Sequence, residues 1–305
     1  MARILVTGAS GCIGAWVVRL LLEGGHEPVG VDLGESDHRL RLAGVLNRFS
    51  FHHLDLAVPG LLETFLEEVR PEAVIHLAAL QVPFCRANPL RCAEVNVMAF
   101  LRLLETAKFQ GFPVIYASSA AVYGPGEGPF SEEEGLRPQS LYGVFKHANE
   151  GMARIYAQDY GVRSAALRPY VVYGPGRDQG MTADITLALY HAARGEPFRI
   201  RFGGRIALQH VEDVARAFVR LALSPPEGAR VYNLRGEVVH VGDVVRAIEE
   251  VTGRKGLITH VEDPLPIAAD LSDAAWQRDY GPFAYKPLDL GLRETLEVWR
   301  AGALL

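Results

Sequence analysis

The sequence predicts an α/β protein: a doubly wound parallel sheet with helices on both faces, and a smaller lobe from the C-terminal part. Three observations carry that prediction. Short apolar runs alternate with amphipathic stretches through the first half of the chain. Those runs are continuous rather than alternating, as strands covered on both faces must be. The first run also feeds through a glycine-spaced turn into the first amphipathic stretch, the connection a βαβ unit needs.

In chain order, Ile4–Val6 reads as a strand, Gly14–Glu23 as a helix and Pro28–Asp32 as the second strand. A helix around Ser36–Leu46, a short strand near Phe51–Leu54, a helix over Gly60–Val69 and a strand at Ala73–Leu77 follow. A longer helix runs from about Arg91 to Phe109, and Val114–Ala117 is the next strand. Gly124-Pro-Gly-Glu-Gly-Pro129 is a loop by composition. Tyr142–Asp159 has apolar residues at three- and four-residue intervals and reads as a helix, with Ser164–Arg168 as the strand after it. Beyond Pro169 the pattern loosens. Gly174-Pro-Gly176 and Gly203-Gly204 flank a helix near Ala183–Arg194, a strand at Arg230–Leu234 is expected to return to the main sheet, and helices near Val241–Val251 and Asp289–Trp299 end the chain. The expected division is a nucleotide-binding domain of residues 1–169 plus roughly 205–236, and a substrate lobe of residues 170–204 and 237–305.

Composition narrows the class. The chain has 305 residues, 49% hydrophobic and 22% charged, enough for a substantial core. A net charge of −5 without a basic run argues against nucleic acid or anionic membranes as partners. No apolar stretch reaches the length of a membrane span, and the first strand starts at Arg3, so neither a membrane segment nor a signal peptide is expected. Cys12, Cys85 and Cys92 lack CxxC spacing, and no histidines pair at zinc-ligand intervals. That predicts no metal and no disulfide framework, and it places the protein in a reducing cytoplasm. His26, His52, His53 and His191 read as structural or surface residues, and Glu132–Glu134 as a solvated acidic turn.

The turn after the first strand reads Gly8-Ala-Ser-Gly11-Cys12-Ile13-Gly14. In a strand-turn-helix context this is a Rossmann-type dinucleotide fingerprint. Gly8 permits the tight turn, Gly11 lets a pyrophosphate approach the backbone and Gly14 lets the helix pack closely. The N–H groups at the helix start then bind the phosphates. Cys12 reads as a small residue filling the turn, with an activated thiol as the alternative. Asp32 ends the second strand, where a carboxylate accepts both ribose hydroxyls and repels a 2′-phosphate, so the expected cofactor is NAD rather than NADP. Arg39 and Arg41 lie downstream and are candidates to soften that preference. Asp55-Leu56 stands at the next strand end, where the adenine would lie, with a helix-starting carboxylate as the competing role for Asp55.

Tyr142 and Lys146 are four apart in a predicted helix and share one face. A tyrosine near pKa 10 is a poor base at neutral pH, and a nearby ammonium is expected to lower it. Upstream, Tyr116-Ala-Ser118-Ser119-Ala-Ala-Val-Tyr-Gly124 is a strand end and loop, where a serine can hydrogen-bond the reacting oxygen. Simple turn roles for Ser118 and Ser119 are the alternative.

These motifs, with Asp55, His76-Leu-Ala-Ala79, Asn96, Leu167-Arg-Pro169, Val172-Tyr-Gly-Pro175 and His210-Val-Glu-Asp213, resemble the extended short-chain dehydrogenase/reductase family, its NAD-dependent epimerase/dehydratase group. The resemblance spans most of the chain. It implies Ser119 as the catalytic serine, Tyr142 as the base and Lys146 as its partner, with Leu77, Ala78, Ala79 and Asn96 lining the cofactor. It also implies a homodimer formed through the two helices that contain Asn96 and Tyr142.

Departures from the family pattern bear on the substrate. Family dehydratases place Asp-Glu after the catalytic serine or threonine, and Ala120-Ala121 stand here, which argues against a 4,6-dehydratase. Nucleotide-sugar members carry an Asn before Val-Tyr-Gly-Pro and an Arg four residues before the His-Val pair. Val171 and Ile206 occupy those places, with Arg205 one position away. A diphosphate without its donors binds poorly. Arg177 is a candidate carboxylate or phosphate clamp, or a solvated loop residue, and Gln81, with Ser118 and Ser119, is a candidate substrate contact. The expected activity is therefore oxidation of a secondary alcohol on a small sugar, sugar acid or hydroxy compound. A nucleotide-sugar 4-epimerase and a non-catalytic NAD sensor are the alternatives.

Overall fold

A computed structural model describes residues 1–34 and 37–302. Its strands are β1 (Arg3–Thr7), β2 (Glu27–Asp32), β3 (Ser50–His53), β4 (Ala73–His76), β5 (Val114–Ala117), β6 (Ser164–Arg168), β7 (Val171–Tyr173), β8 (Phe198–Ile200), β9 (Arg205–His210), β10 (Ala229–Asn233), β11 (Glu237–His240) and β12 (Ile258–His260). The α-helices are α1 (Cys12–Glu23), α2 (His38–Leu42), α3 (Leu61–Val69), α4 (Val82–Ala87), α5 (Pro89–Ala93), α6 (Ala99–Gln110), α7 (Leu141–Tyr160), α8 (Asp184–Arg194), α9 (Val211–Leu223), α10 (Val241–Thr252), α11 (Ala274–Tyr280) and α12 (Leu288–Ala301).

Seven parallel strands form the large sheet in the order β10-β6-β5-β4-β1-β2-β3. Winding runs outward in both directions from the β1/β4 boundary, and the crevice at such a switch point is where this architecture binds dinucleotides. Ile4, Leu5 and Val6 are buried to within 1% of completely, which is why β1 reads as an unbroken apolar run. One face of the sheet packs Trp16, Val17 and Leu21 of α1 against Val214, Phe218 and Leu221 of α9. The other packs Leu62 and Leu66 of α3 with Phe100, Leu103 and Leu104 of α6. A separate core in the small lobe unites β7, α8, β9, α10 and α12.

Several elements differ from the sequence reading. The helix expected over Ser36–Leu46 is one short turn, His38–Leu42, and Ser36 lies outside the described residues. The long helix expected from Arg91 begins at Pro89 and passes through a π-helical turn, Glu94–Met98, before α6. The short helix α4 was missed because Val82-Pro-Phe-Cys has no helical periodicity to show. Strand β10 does rejoin the large sheet beside β6. Strand β9, which the sequence division grouped with the nucleotide domain, pairs instead with β7 and β11. The expected absence of disulfides is also corrected: Cys85 and Cys92 are bonded across the α4–α5 corner, with Cα atoms 4.9 Å apart. Sequence spacing could not show this, because Asn88, at the corner, folds the two short helices back on each other.

Candidate active site

The glycine turn is locked to its neighbours. Gly8 (φ +71°) donates to the Val31 carbonyl at 2.9 Å, and a Cβ there would sit 2.7 Å from the Ala78 nitrogen. Only glycine lets β1 and β4 end this close together. Asp32 ties the turn to β2: one oxygen accepts from the Ser10 N–H (3.0 Å) and hydroxyl (2.7 Å), the other from Leu33 and Gly34 N–H. The carboxylate is thus fixed beside the helix start, where it suits two ribose hydroxyls and opposes a 2′-phosphate. Arg39 and Arg41 each face another carboxylate. Arg39 is bonded to Asp178 and Arg41 to Asp37. Burial pushes the Cys12 thiol up to about 11, so the activated-thiol alternative falls away.

At the end of β4, the Thr7 hydroxyl bridges His76 Nδ1 (2.8 Å) and the Ala78 N–H (3.3 Å), which holds Leu77, Ala78 and Ala79 at the crevice. Burial, with the Lys146 charge adding to it, lowers His76 to about 3 and keeps it neutral. Asn96 is buried beneath this segment and clamps Leu80 from both sides: its Oδ1 accepts the Leu80 N–H at 2.8 Å and its Nδ2 donates to the Leu80 carbonyl at 2.9 Å. It holds the segment after β4 from behind. Both carboxylate oxygens of Asp55 accept from one Arg91 nitrogen, Nη2, at 2.8 and 2.7 Å. Burial works against its charge, but Arg91 and the Ala57 N–H leave its pKa below the ordinary value. Leu56 is buried in the core beneath α3.

The candidate catalytic residues meet where β5 ends and α7 begins. Ser140 caps α7 by accepting the Gly143 N–H at 3.1 Å. A Cβ on Gly143 would collide with the Ala121 carbonyl, so glycine lets the helix start press against the loop after β5. That approach brings the Tyr142 phenol near Ser119, whose hydroxyl accepts the Ala121 N–H at 3.1 Å and eases ionisation of the phenol. Lys146, one turn on, donates to the Ala117 carbonyl at 2.6 Å, its ammonium 5.6 Å from the Tyr142 ring centre. Burial raises the Tyr142 pKa, partly offset by Ser119 and by the charge of Arg177. The expected net lowering is therefore corrected: burial outweighs the nearby positive charge and leaves the phenol above its ordinary value. Burial also lowers Lys146 to about 8, against the upward pull of Glu150.

Ser118, expected to face substrate, is buried and donates to Glu150 at 2.5 Å. Successive residues of a strand end point to opposite faces, which separates it from Ser119. Sequence reasoning missed the network it joins. Glu150 receives Arg168 through two bonds at 2.8 and 2.7 Å, and Arg168 reaches Tyr123 Oη at 2.6 Å. The signal was available: Tyr142, Lys146 and Glu150 follow at four-residue steps on one helix face. Glu132, read as part of a solvated turn, accepts the Asn233 N–H at 3.0 Å, and burial raises its pKa.

Arg177 follows β7. Its Nη2 donates to Thr182 Oγ1 at 2.8 Å while its buried Nε has no partner among the described residues. Its charge bears on both Cys12 and Tyr142. Gln81 is on the same side: a Cβ on Gly180 would meet its Oε1 and, at 3.5 Å, Arg177 Nη2. Val171 and Ile206 are completely buried in the small-lobe core, and Arg205 is engaged by Glu127 and Asp270. Among the described residues no cluster could hold a metal ion, and no helix is long and apolar enough to cross a membrane.

A dinucleotide crevice with a Ser-Tyr-Lys constellation at its rim defines an extended short-chain dehydrogenase/reductase, an enzyme that uses NAD. The comparisons with known proteins agree. Residues 4–234 match the model of the NAD dependent epimerase/dehydratase family, and the chain belongs to that family. It is 35% identical over 242 residues to a UDP-glucose 4-epimerase of Mycolicibacterium smegmatis, covering 76% of each chain. The structure of a UDP-glucose 4-epimerase from Thermotoga maritima with UDP-glucose is similar at a TM-score of 0.88, 29% identity and 99% coverage of both chains. MoeE5 in complex with UDP-glucuronic acid and NAD is similar at a TM-score of 0.82, 31% identity and coverage of 98% of this chain and 99% of that one.

Proposed function

We propose that this chain is a nucleotide-sugar 4-epimerase. The grouping of Ser119, Tyr142 and Lys146, with the ammonium 5.6 Å from the phenol ring centre, carries the reading, because it suits a proton-accepting site at the rim of a dinucleotide crevice. Relatives that act on UDP-glucose and UDP-glucuronate support this substrate class over the free sugar expected from the sequence. Gly8, Gly11, Cys12, Ile13 and Gly14 would hold the NAD phosphates, Asp32 a ribose and Lys146 the nicotinamide ribose. When bound, NAD supplies the acceptor and the donor of a hydride.

The protein's own part is proton control. Ser119 orients the sugar hydroxyl, and Tyr142 takes its proton as the carbon is oxidised. Lys146 and Arg177 place positive charge near the phenolate that results. Tyr142 then holds that proton until the ketone, turned to its other face, is reduced and takes it back. Ala120 and Ala121 supply no carboxylate beside Ser119 to eliminate water. Arg177, with its unpartnered Nε, suits a sugar carboxylate or a phosphate oxygen.

One observation favours a second reading, a dehydrogenase of a smaller sugar or sugar acid. Val171 and Ile206 point into a closed apolar core and cannot touch a diphosphate. The two are separated by incubating the protein with NAD⁺ and a panel of UDP-hexoses, UDP-hexuronates, free sugars and sugar acids. Interconversion of a UDP-sugar at C4 without net NADH supports the epimerase. Net NADH with a free sugar or sugar acid and no UDP-sugar turnover overturns it.

The subunits are proposed to pair through α6 and α7. Met98, just before α6, and Leu141, Val144 and Ile155 on α7 are each more than a third exposed. Such a stripe is stable in water when a second copy covers it. Light scattering that gives the mass of one chain would refute the pairing.

A further inference from the structure

The loop after β7 is fastened to both helices that flank the cofactor turn. Pro175 accepts the Trp16 indole N–H of α1 at 3.1 Å, and Gly176 accepts the Arg39 Nε–H of α2 at 3.1 Å. The next contact is ionic. Arg39 Nη2 lies 2.5 Å from Asp178 Oδ1, and His38 Nε2 is 3.7 Å from the other carboxylate oxygen. Residues 39 and 178 are far apart in sequence, so the pair joins the edge of the nucleotide domain to the small lobe. Gly176 adopts φ +87°, and the Arg39 stem packs 3.4 Å from where its Cβ would be. The loop is thereby shaped around this arginine. Trp16, which holds Pro175, stands one turn into α1 from Cys12, so the fastening lies beside the glycine turn at the phosphate-binding end of the crevice.

We infer that the Arg39–Asp178 pair is a latch that sets how long NAD stays bound. Asp32 is tied to the glycine turn, and the loop 174–178 is fastened to the two helices that flank that turn. Opening the crevice for dinucleotide exchange requires parting Arg39 from Asp178 and from the Gly176 carbonyl. The Arg39 side chain is only 18% exposed and Asp178 37%, so water competes less for the pair than at an open surface. Arg39 and Asp178 are positioning residues: neither touches Tyr142, Ser119 or Lys146 among the described contacts. The latch rests on the crevice being the NAD site and is independent of which sugar is turned over. An epimerase, which regenerates its cofactor in each cycle, gains from such retention.

The test is the rate at which bound NADH leaves. The protein is loaded with NADH and mixed with excess NAD⁺ in a stopped-flow fluorimeter, for wild type, Asp178→Asn, Arg39→Gln and the exchanged pair Arg39→Asp with Asp178→Arg. Each single substitution should speed dissociation about fivefold, the size of one partly shielded ion pair. The exchanged pair should recover part of that loss, and wild-type dissociation should accelerate with salt while Asp178→Asn does not. Melting temperatures of the NAD-free proteins are recorded alongside, so that a general loss of folding is distinguished from latch release. Unchanged dissociation in Asp178→Asn overturns the latch. Acceleration in Arg39→Gln alone, without recovery in the exchanged pair, also overturns it and makes Arg39 a direct phosphate contact.

Discussion

Replacing Lys146 with methionine should make the protein more stable and nearly inactive. Lys146 is 2% exposed, and burial brings its pKa from the ordinary 10.5 to about 8. At about 1.4 kcal/mol per pKa unit, keeping that ammonium charged in the fold costs about 3 kcal/mol at pH 7. Methionine has similar length and no charge. It leaves the Ala117 carbonyl without its donor, which returns about 1 kcal/mol, so the net gain is about 2 kcal/mol. The pH dependence identifies the cause. Below pH 8 folded and unfolded chains both carry the proton and the full cost applies. Between pH 8 and 10.5 the unfolded chain keeps a proton that the folded chain has lost, so wild-type stability rises with pH relative to the variant. Urea unfolding of both proteins, stripped of cofactor, at steps from pH 7 to 10 measures this. A wild type more stable than the variant at pH 7, or a difference that stays flat with pH, would refute the reasoning.

Tyr142→Phe should cut turnover by about 10²- to 10⁴-fold while leaving NAD binding within about twofold, checked by steady-state rates and calorimetry. Arg168→Met, which strands the buried Glu150 carboxylate, should cost about 3–5 kcal/mol of stability, and Glu150→Gln should restore part of it in the double variant; urea unfolding of the set decides the matter. A denatured, unreduced chain should show one reactive thiol, Cys12, and three after reduction; three before reduction would contradict the Cys85–Cys92 bond.

Local sequence carried much of this fold because most strands of the large sheet are buried apolar runs and the glycine turn has one structural use. Tyr142 and Lys146 were legible for a similar reason: a four-residue step in a helix fixes a shared face whatever surrounds it. What failed depended on contacts between distant segments. Ser118 and Ser119 are indistinguishable in sequence, and only the burial of Glu150 beneath β5 decides which of them faces inward. Arg39 looked like a candidate for the cofactor's 2′ position because nothing local shows that Asp178 reaches it from the other lobe. The Cys85–Cys92 bond likewise depends on the corner at Asn88, since two cysteines seven apart would lie about two turns apart on one continuous helix.

The same buried charges that make the site costly also explain how it works. Burial raises the Tyr142 pKa and lowers that of Lys146 to about 8, so the phenol keeps its proton at pH 7 while the lysine stays largely charged. A neutral phenol cannot take a proton, and further positive charge near it favours the phenolate. Arg177 supplies one such charge from the small lobe, and the oxidised nicotinamide is cationic. The base is strong only when the loop after β7 is in place and the crevice is filled. That ties proton removal to the segment that Arg39 and Asp178 fasten, and it explains why the loop that carries Arg177 is held by several separate contacts.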